Sequence, residues 1–579
     1  MRIKLYFFCD VIFVVLIIVF SFFCYYIPFK SCINMTKVVE CVPNFSEGQN
    51  KEVVEALANA VMQTDGCRLL DVDPGPSTNR TVFTFVGSPE DVVEGALNMS
   101  RVAFSLIDMS SHKGEHPRMG ALDVCPFVPV ANVTMEECVE CANNFGKRLA
   151  AELNVPVYLY GHAATNESRV KLPDIRTGEY EALPEKLQQD KWKPDYGPPA
   201  FIPSWGATAT GARNFLIAFN VNVLGTKEQA HRIALNVRTQ GRGKDQPGRL
   251  EHVQGIGWWL DEANLAQVSM NLTDQDVTPM HVAFEECLKD AKEINLGICG
   301  SQVVGIIPKK AILAAAEYYI QRDNLFILEE SQKVRLAINR LGLSSVSQFN
   351  PKDRIIEYMI EDESESGPLT SLSLKSFIRS IGARTPTPGG GSASAAIGAM
   401  GAALCTMVGW MTFGNKKFMA LDGTMRKLIP PLYETMNALI PLVDADADAF
   451  TAFMDAMKLP KKSEEDIKKR EAALLSSTKS SIAVPMHTAI TANKCWDPLK
   501  QLAVHGNVQC ISDLQVGARA LETAVWGAYY NVIINLPNMK EEEFKTKAKS
   551  DIDAALKQAQ EGAAEVLKII DDRVNAKDK

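Results

Sequence analysis

Two short stretches gather titratable side chains in patterns that suit proton transfer. His112-Lys113-Gly114-Glu115-His116-Pro117-Arg118-Met119-Gly120 puts two imidazoles, a carboxylate and a guanidinium in one polar loop. Imidazole titrates near neutral pH, so a histidine there can take a proton from one nitrogen and return it to another. The pair lacks a third ligand at a metal-binding spacing, and no metal is expected. Asp71-Val72-Asp73-Pro74-Gly75-Pro76-Ser77-Thr78-Asn79-Arg80 sets carboxylates, hydroxyls, an amide and an arginine on one strand-to-strand turn. Such loops are favoured sites of chemistry, although the same composition describes an ordinary turn.

Other stretches offer binding surfaces. Gly197-Pro198-Pro199-Ala200-Phe201-Ile202-Pro203-Ser204-Trp205-Gly206 is a stiff loop whose two aromatic rings could face a flat ligand, or simply be buried as a connection. His231, Arg232, Arg238, Arg242, Lys244 and Arg249 form a basic segment that fits neither a phosphate-binding loop nor a dinucleotide fingerprint. It can hold carboxylate tails, or be a solvated face. Thr387-Pro388-Gly389-Gly390-Gly391-Ser392 runs into a helix, where glycine permits close approach and the helix start favours an anion. Asp444, Asp446 and Asp448 alternate along one helix, with Asp444 and Asp448 on a shared face. Crowded like charges can raise one carboxyl pKa and make it an acid; a solvated acidic face is the plainer reading. Asn531 and Asn535 sit in an apolar segment and need partners, either a ligand or another helix.

The elements that must position these groups fall into two styles. Strands are predicted at 37–42, 67–72, 80–86, 119–128 and 155–160, and helices at 49–64, 89–110 and 134–153. Ser88 precedes Pro89 as an N-cap, and Thr134 with Glu137 makes a capping box. The order repeats from Asn214: strands at 215–223, 252–260, 265–273 and 298–305, with helices opening at Thr226 and Thr278. Both halves read as the β-α-β-β-α-β ferredoxin-like plan. After an acidic linker at 361–368, the periodicity becomes wholly helical at 370–382, 392–412, 423–458, 463–494, 511–536 and 540–574. Ala, Gly and Ser dominate Ser392 to Leu404, which suits a closely approached helix partner.

The chain has 579 residues, more than one hydrophobic core serves, and a net charge of -8, so no global basic field favours nucleic acid. Its 13 cysteines follow no framework. The single Cys138-x-x-Cys141 has no partner pair for zinc, and the pattern fits a reducing compartment. Leu5 to Phe29 is an apolar run broken by Asp10; Val11 to Ile27 could just span a bilayer or serve as a signal anchor, or residues 1–34 are an extension upstream of the start at Met35. Seven N-x-S/T sequons include Asn44 and Asn79, whose glycosylation would obstruct the loops above; a lumenal location is not expected.

Taken in order, the chain resembles the formimidoyltransferase-cyclodeaminase family over about residues 36–579. The resemblance rests on Val39 to Gly48, Gly75 to Arg80, His112 to Gly120, Pro203 to Gly211, Pro388 to Ser392, Val443 to Ala447 and Ser512 to Val516. It implies an α+β region of two ferredoxin-like subdomains followed by an all-α domain. The divisions are a hydrophobic extension at 1–34, transferase subdomains at 35–215 and 216–360, a linker at 361–368 and a cyclodeaminase domain at 369–579. It implies transfer of the formimidoyl group from N-formimidoyl-L-glutamate to tetrahydrofolate, then ring closure to 5,10-methenyltetrahydrofolate with release of ammonia. By the resemblance, His116 is the transferase acid/base, Gly197 to Gly206 contacts folate, and Asp446 is the cyclodeaminase catalytic carboxylate. Our own reading adds Asp73 as an orienter and Arg80 or Arg118 as a clamp for a glutamate carboxylate. A polyglutamylated folate, a ring-shaped octamer with channelling, and a cytoplasmic protein associated with Golgi membrane or cytoskeleton complete the expectation. The competing readings are a membrane-tethered scaffold without turnover, and a transferase whose second domain is inactive or only a cyclohydrolase.

Overall fold

The computed structural model describes residues 37–75, 78–114, 117–360 and 367–575. The apolar extension at 1–34, His116 and most of the acidic linker lie outside these residues. The described residues fall into two compact units, 37–360 and 367–575.

In the first unit, β1 (Val38–Cys41) and β2 (Asn44–Phe45) are one strand interrupted at Val42-Pro43, where proline supplies no N–H for a ladder. Both pieces pair antiparallel with β4 (Arg80–Gly87) and β5 (Leu122–Ala131). β3 (Arg68–Gly75) flanks β4, which completes a ferredoxin-like order. Beyond β5 the sheet gains two parallel strands, β6 (Val157–Gly161) at the edge and β7 (Thr208–Ala212) between them. β7 is an addition to the predicted elements.

Helices α1 (Lys51–Met62), α2 (Pro89–Leu106) and α3 (Met135–Leu153) contribute to one core with this sheet. Ser88 caps α2 and the Thr134/Glu137 box opens α3, as their spacing predicts. Leu57, Leu97 and Phe145 meet Val39, Phe83, Phe85 and Phe127 there. Each such side chain contributes about 1.5–3 kcal/mol when buried. Cys138 and Cys141 lie in this core, and burial pushes both thiols up to about 12, so they behave as small apolar side chains.

The second half is the expected β-α-β-β-α-β unit. β8 (Ile217–Leu224), β9 (Val253–Leu260), β10 (Leu265–Leu272) and β11 (Gly297–Val304) pair antiparallel in the order β11-β8-β10-β9. The Thr226/Gln229 box starts α4 (Lys227–Val237), and α5 (Met280–Glu293) precedes β11. α6 (Lys309–Arg322) and α7 (Glu330–Leu341) follow. Val38, Val86 and Val128 of the first sheet join the core of this half, which ties the two together.

The second unit is all helical. α8 (Leu374–Ile381) precedes α9 (Gly390–Thr412), α10 (Asp422–Leu439), α11 (Leu442–Lys458), α12 (Glu464–Asn493), α13 (Trp496–His505), α14 (Ile511–Asn535) and α15 (Glu542–Asn575). The helix predicted over 423–458 divides between α10 and α11, at Ile440-Pro441. α9 is long and apolar enough to cross a membrane by length and composition, yet its glycines and alanines are buried against α14 and α10. Added β-carbons at Gly398 and Gly401 would stand 3.0 Å from the Ala524 and Ala520 β-carbons. The small residues thus set a short spacing between the helices.

Candidate active sites

The turn after β3 and the loop after α2 meet through one amide. Asn79 adopts a left-handed conformation (φ 47°), accepts a hydrogen bond from the Gly48 N–H at 3.0 Å, and donates to the Lys113 carbonyl at 2.9 Å. Gly114 completes the approach, because a β-carbon there would lie 2.2 Å from the Thr78 carbonyl oxygen. His112 Nε2 lies 2.8 Å from the Asn79 carbonyl, which holds that ring at the mouth of a cavity of about 630 Å³. The cavity wall is completed by Lys113, Arg118 and the segment Gly178–Glu181.

The two arginines proposed as clamps have different surroundings. Arg80 is buried: its Nη1 donates to Asp123 at 2.5 Å, and its Nε and Nη2 donate to Asn44 Oδ1 at 3.1 and 2.7 Å. Asp123 is fully buried and also receives Arg176 and the Met119 N–H. Arg80 is therefore held by Asp123 and Asn44 and is not among the residues that line the cavity. Arg118 lines the cavity, and its guanidinium forks onto Glu181 with contacts of 2.9 and 2.8 Å. That pairing holds the Glu181 carboxyl below its usual range. Asp73 is exposed on β3 opposite Val82. Its neighbour Asp71 is raised, by burial first and by the Asp73 charge second.

The stretch Gly197–Gly206 lies beside this cavity but does not present both rings. Trp205 is fully buried, donates its indole N–H to Thr208 Oγ1 at 3.0 Å and packs 5.7 Å from Phe104. Of the two readings of this loop, Trp205 takes the buried one: an indole N–H with an internal partner belongs to the core. Phe201 is half-buried and packs 5.4 Å from Tyr180, whose hydroxyl donates to the Pro203 carbonyl at 2.6 Å. Tyr180, Glu179 and Glu181 are site residues that sequence reasoning missed. An Arg-Thr-Gly-Glu-Tyr-Glu run reads as a solvated turn.

The basic segment is only partly absorbed by the fold. Arg249 pairs with Glu286 and Asp290, and Arg238 donates to the Gly241 and Gly255 carbonyls. Arg232, Arg242 and Lys244 remain exposed.

In the helical unit the aspartates separate by role. Asp444 is buried and accepts from the Leu369 and Thr370 N–H groups and the Thr370 hydroxyl, at 2.6, 3.2 and 2.7 Å. It ties down the turn that enters this unit. Asp446 instead reaches the start of α9, where Ser392 donates from its N–H at 2.9 Å and its hydroxyl at 3.2 Å. Burial raises the Asp446 carboxyl, against the opposing pull of those two hydrogen bonds. Like-charge crowding is not the cause for Asp446; Asp448 is raised by burial first and by the Asp444 charge second. Asn531 Nδ2 stands 3.6 Å from where a Gly390 β-carbon would be, so α9, α11 and α14 converge on one polar spot. Asn535 donates to the Ser481 carbonyl at 3.2 Å, which makes it a helix-to-helix contact. A raised carboxyl at a helix start can deliver a proton to a leaving nitrogen. Among the described residues, no group of three or more His, Cys, Asp or Glu side chains is placed to hold a metal.

Comparison with known proteins adds three family matches. Residues 38–213 match the formiminotransferase domain, N-terminal subdomain; 218–361 match the formiminotransferase domain; and 373–554 match formiminotransferase-cyclodeaminase. The chain is 60% identical to a Mus musculus formimidoyltransferase-cyclodeaminase, over 92% of this chain and 98% of that protein. It is 42% identical to a Streptococcus pyogenes glutamate formimidoyltransferase, over 50% of this chain and 95% of that protein. A Methylorubrum extorquens methenyltetrahydrofolate cyclohydrolase is 27% identical, over 35% of this chain and 98% of that protein.

Proposed function

Because the chain belongs to the formiminotransferase-cyclodeaminase family, we infer that it is a bifunctional folate enzyme of histidine degradation. It transfers the formimidoyl group of N-formimidoyl-L-glutamate to tetrahydrofolate, giving 5-formimidoyltetrahydrofolate and glutamate. It then closes the ring to 5,10-methenyltetrahydrofolate and releases ammonia. The observation that carries the first step is the link that Asn79 makes to Gly48 and to Lys113 beside the cavity.

In the transferase reaction the N5 amine attacks the formimidoyl carbon, and the glutamate nitrogen must leave protonated. We assign the proton relay to His116, by resemblance, in the loop whose start is fixed by His112 and Asn79. A near-neutral imidazole can accept the N5 proton and return it to the leaving nitrogen. Phe201, which packs on the cavity-lining Tyr180, is the ring we assign to folate. Arg118 is the carboxylate contact, and Asp73 a candidate orienter. In the second step N10 attacks the same carbon. Asp446, its carboxyl raised by burial, delivers the proton that lets nitrogen depart as ammonia.

A polyglutamate tail on the folate would meet Arg242 and Lys244, both exposed. Charge reversal there should weaken polyglutamylated substrate more than monoglutamate, and equal loss for both rejects the idea. A homo-oligomer, octameric by resemblance, is supported by exposed apolar side chains on α9 and α14: Met400, Met407, Met411, Trp526 and Ile534. A cytoplasmic location is supported by the Asn44 and Asn79 amides, which are engaged within the transferase unit. Golgi or cytoskeletal association follows the resemblance alone.

The test is a pair of substitutions in the full chain. His116→Ala should abolish formimidoyl transfer and keep ammonia release from supplied 5-formimidoyltetrahydrofolate. Asp446→Asn should do the reverse. A wild type with no turnover at either step would favour a scaffold.

A further inference from the structure

Arg118 and Glu181 are unequal partners. The guanidinium side chain is 10% exposed and held in the cavity wall, whereas the Glu181 side chain is 65% exposed. The fork is nonetheless well formed, with each terminal nitrogen donating to its own carboxylate oxygen, Nη1 to Oε2 at 2.9 Å and Nη2 to Oε1 at 2.8 Å. Glu179 adds a longer contact of 3.3 Å. Arg118 is also fixed independently of either carboxylate: its Nε lies 3.3 Å from His112 Nδ1 and it sits 5.7 Å from the Tyr180 ring. The segment bearing Glu181 is anchored in turn by the Tyr180 hydroxyl on the Pro203 carbonyl. A carboxylate with so much solvent contact can leave the fork and rehydrate at little net cost, without moving the segment that carries it.

We propose that Glu181 is an internal stand-in for a carboxylate of the formimidoyl donor, occupying Arg118 in the free enzyme and exchanging with the donor when it binds. The inference rests on the transferase reading, because that reaction takes a donor whose departing half is glutamate. The planar fork of Arg118 accepts one carboxylate in this geometry at a time, so Glu181 competes directly with the substrate. The exchange makes the site selective: a donor without a carboxylate cannot displace Glu181, and the cation stays paired when the cavity is empty.

The experiment uses the full chain, with Glu181→Gln, Arg118→Gln and the double substitution. KM for N-formimidoylglutamate and for tetrahydrofolate are measured separately, and glutarate binding is followed by calorimetry. Removal of an exposed competitor should lower the donor KM roughly three- to fivefold, tighten glutarate by a similar factor, and leave the tetrahydrofolate KM in place. Arg118→Gln should raise the donor KM by about tenfold or more, and in that background Glu181→Gln should no longer lower it. A donor KM that is unchanged or higher in Glu181→Gln, with the wild type turning over, overturns the exchange and reduces the pair to a structural tie. A wild type that does not use the donor overturns the transferase reading instead, and the glutarate measurement still decides whether Arg118 exchanges carboxylates.

Discussion

Gly391 and Asp446 stand so close that a methyl group on Gly391 would lie 2.0 Å from Asp446 Oδ1. The glycine is needed at this position because the carboxylate occupies the space of the side chain. Gly391→Ala must push the carboxylate away or shift the helix start. Ammonia release should fall about a hundredfold, the usual cost of misplacing a reacting group by an ångström, while formimidoyl transfer is kept. Stopped assays of each half-reaction check it, and an unchanged ammonia rate would remove Asp446 from the chemistry.

Ser392 gives a pH prediction with a definite sign. Its hydrogen bonds favour the ionised Asp446 and so oppose the upward push of burial. Ser392→Ala removes the hydroxyl donor and keeps the N–H, which raises the carboxyl further. The protonated acid then persists to higher pH, and the alkaline limb of the ammonia-release profile should move upward. A limb that moves downward would mean the reaction needs the carboxylate as a base.

Asn79 couples two loops that share no secondary structure, through Gly48 on one side and Lys113 on the other. Asn79→Gly keeps the left-handed backbone and deletes the bridge. Transfer activity should drop about tenfold with ammonia release intact. Asn79→Ala should lose about 1 kcal/mol more in stability, because alanine resists a positive φ. Thermal melting separates the two variants.

Arg80 should behave as a structural cation. Arg80→Leu leaves the fully buried Asp123 with Arg176 as its remaining cation and strips the donors from Asn44 Oδ1. Breaking one side of such a buried pair costs about 3 kcal/mol, visible as a lowered Tm in calorimetry. A raised donor KM with an unmoved Tm would restore Arg80 as a substrate clamp.

His281 sets an acid limit on the transferase unit. It is buried, stacks 4.5 Å from Tyr318, and its Nδ1 has no hydrogen-bond partner. Burial lowers its pKa to about 4. The unfolded chain gains a proton near pH 6.5 and the folded one only near 4, so stability is full above 6.5 and is lost as pH falls through that interval. His281→Phe keeps the stack and removes the titration. It should gain about 2 kcal/mol relative to wild type at pH 5, and much less at pH 8. An equal gain at both values would assign the effect to packing.

Where local chemistry decides an element, the sequence announces it. Thr134 with Glu137 and Thr226 with Gln229 form the expected boxes, and Ser88 caps where Pro89 says it should. Where distant pairing decides, local signals fail. Thr208-Ala-Thr-Gly-Ala has no alternation and few large side chains, and is a strand because β5 and β6 hold it on both sides. Trp205 beside Phe201 looks like a ligand platform until Thr208 is seen to take its N–H. Asp444 and Asp446 share residue type and neighbours. The fold alone separates the one that anchors a turn from the one that faces a helix start.

The seam between α9 and α14 has a bearing on catalysis at a distance. Gly398 and Gly401 meet Ala524 and Ala520 with no slack for another carbon, and Gly401 lies roughly 16 Å along the helix from Gly390. A rigid rod pressed at that seam transmits any displacement to its tip. The seam therefore works as a ruler, fixing the depth at which the first turn of α9 meets Asp446 and Asn531. Enlarging either glycine would register first as a slower reaction, well before the domain came apart.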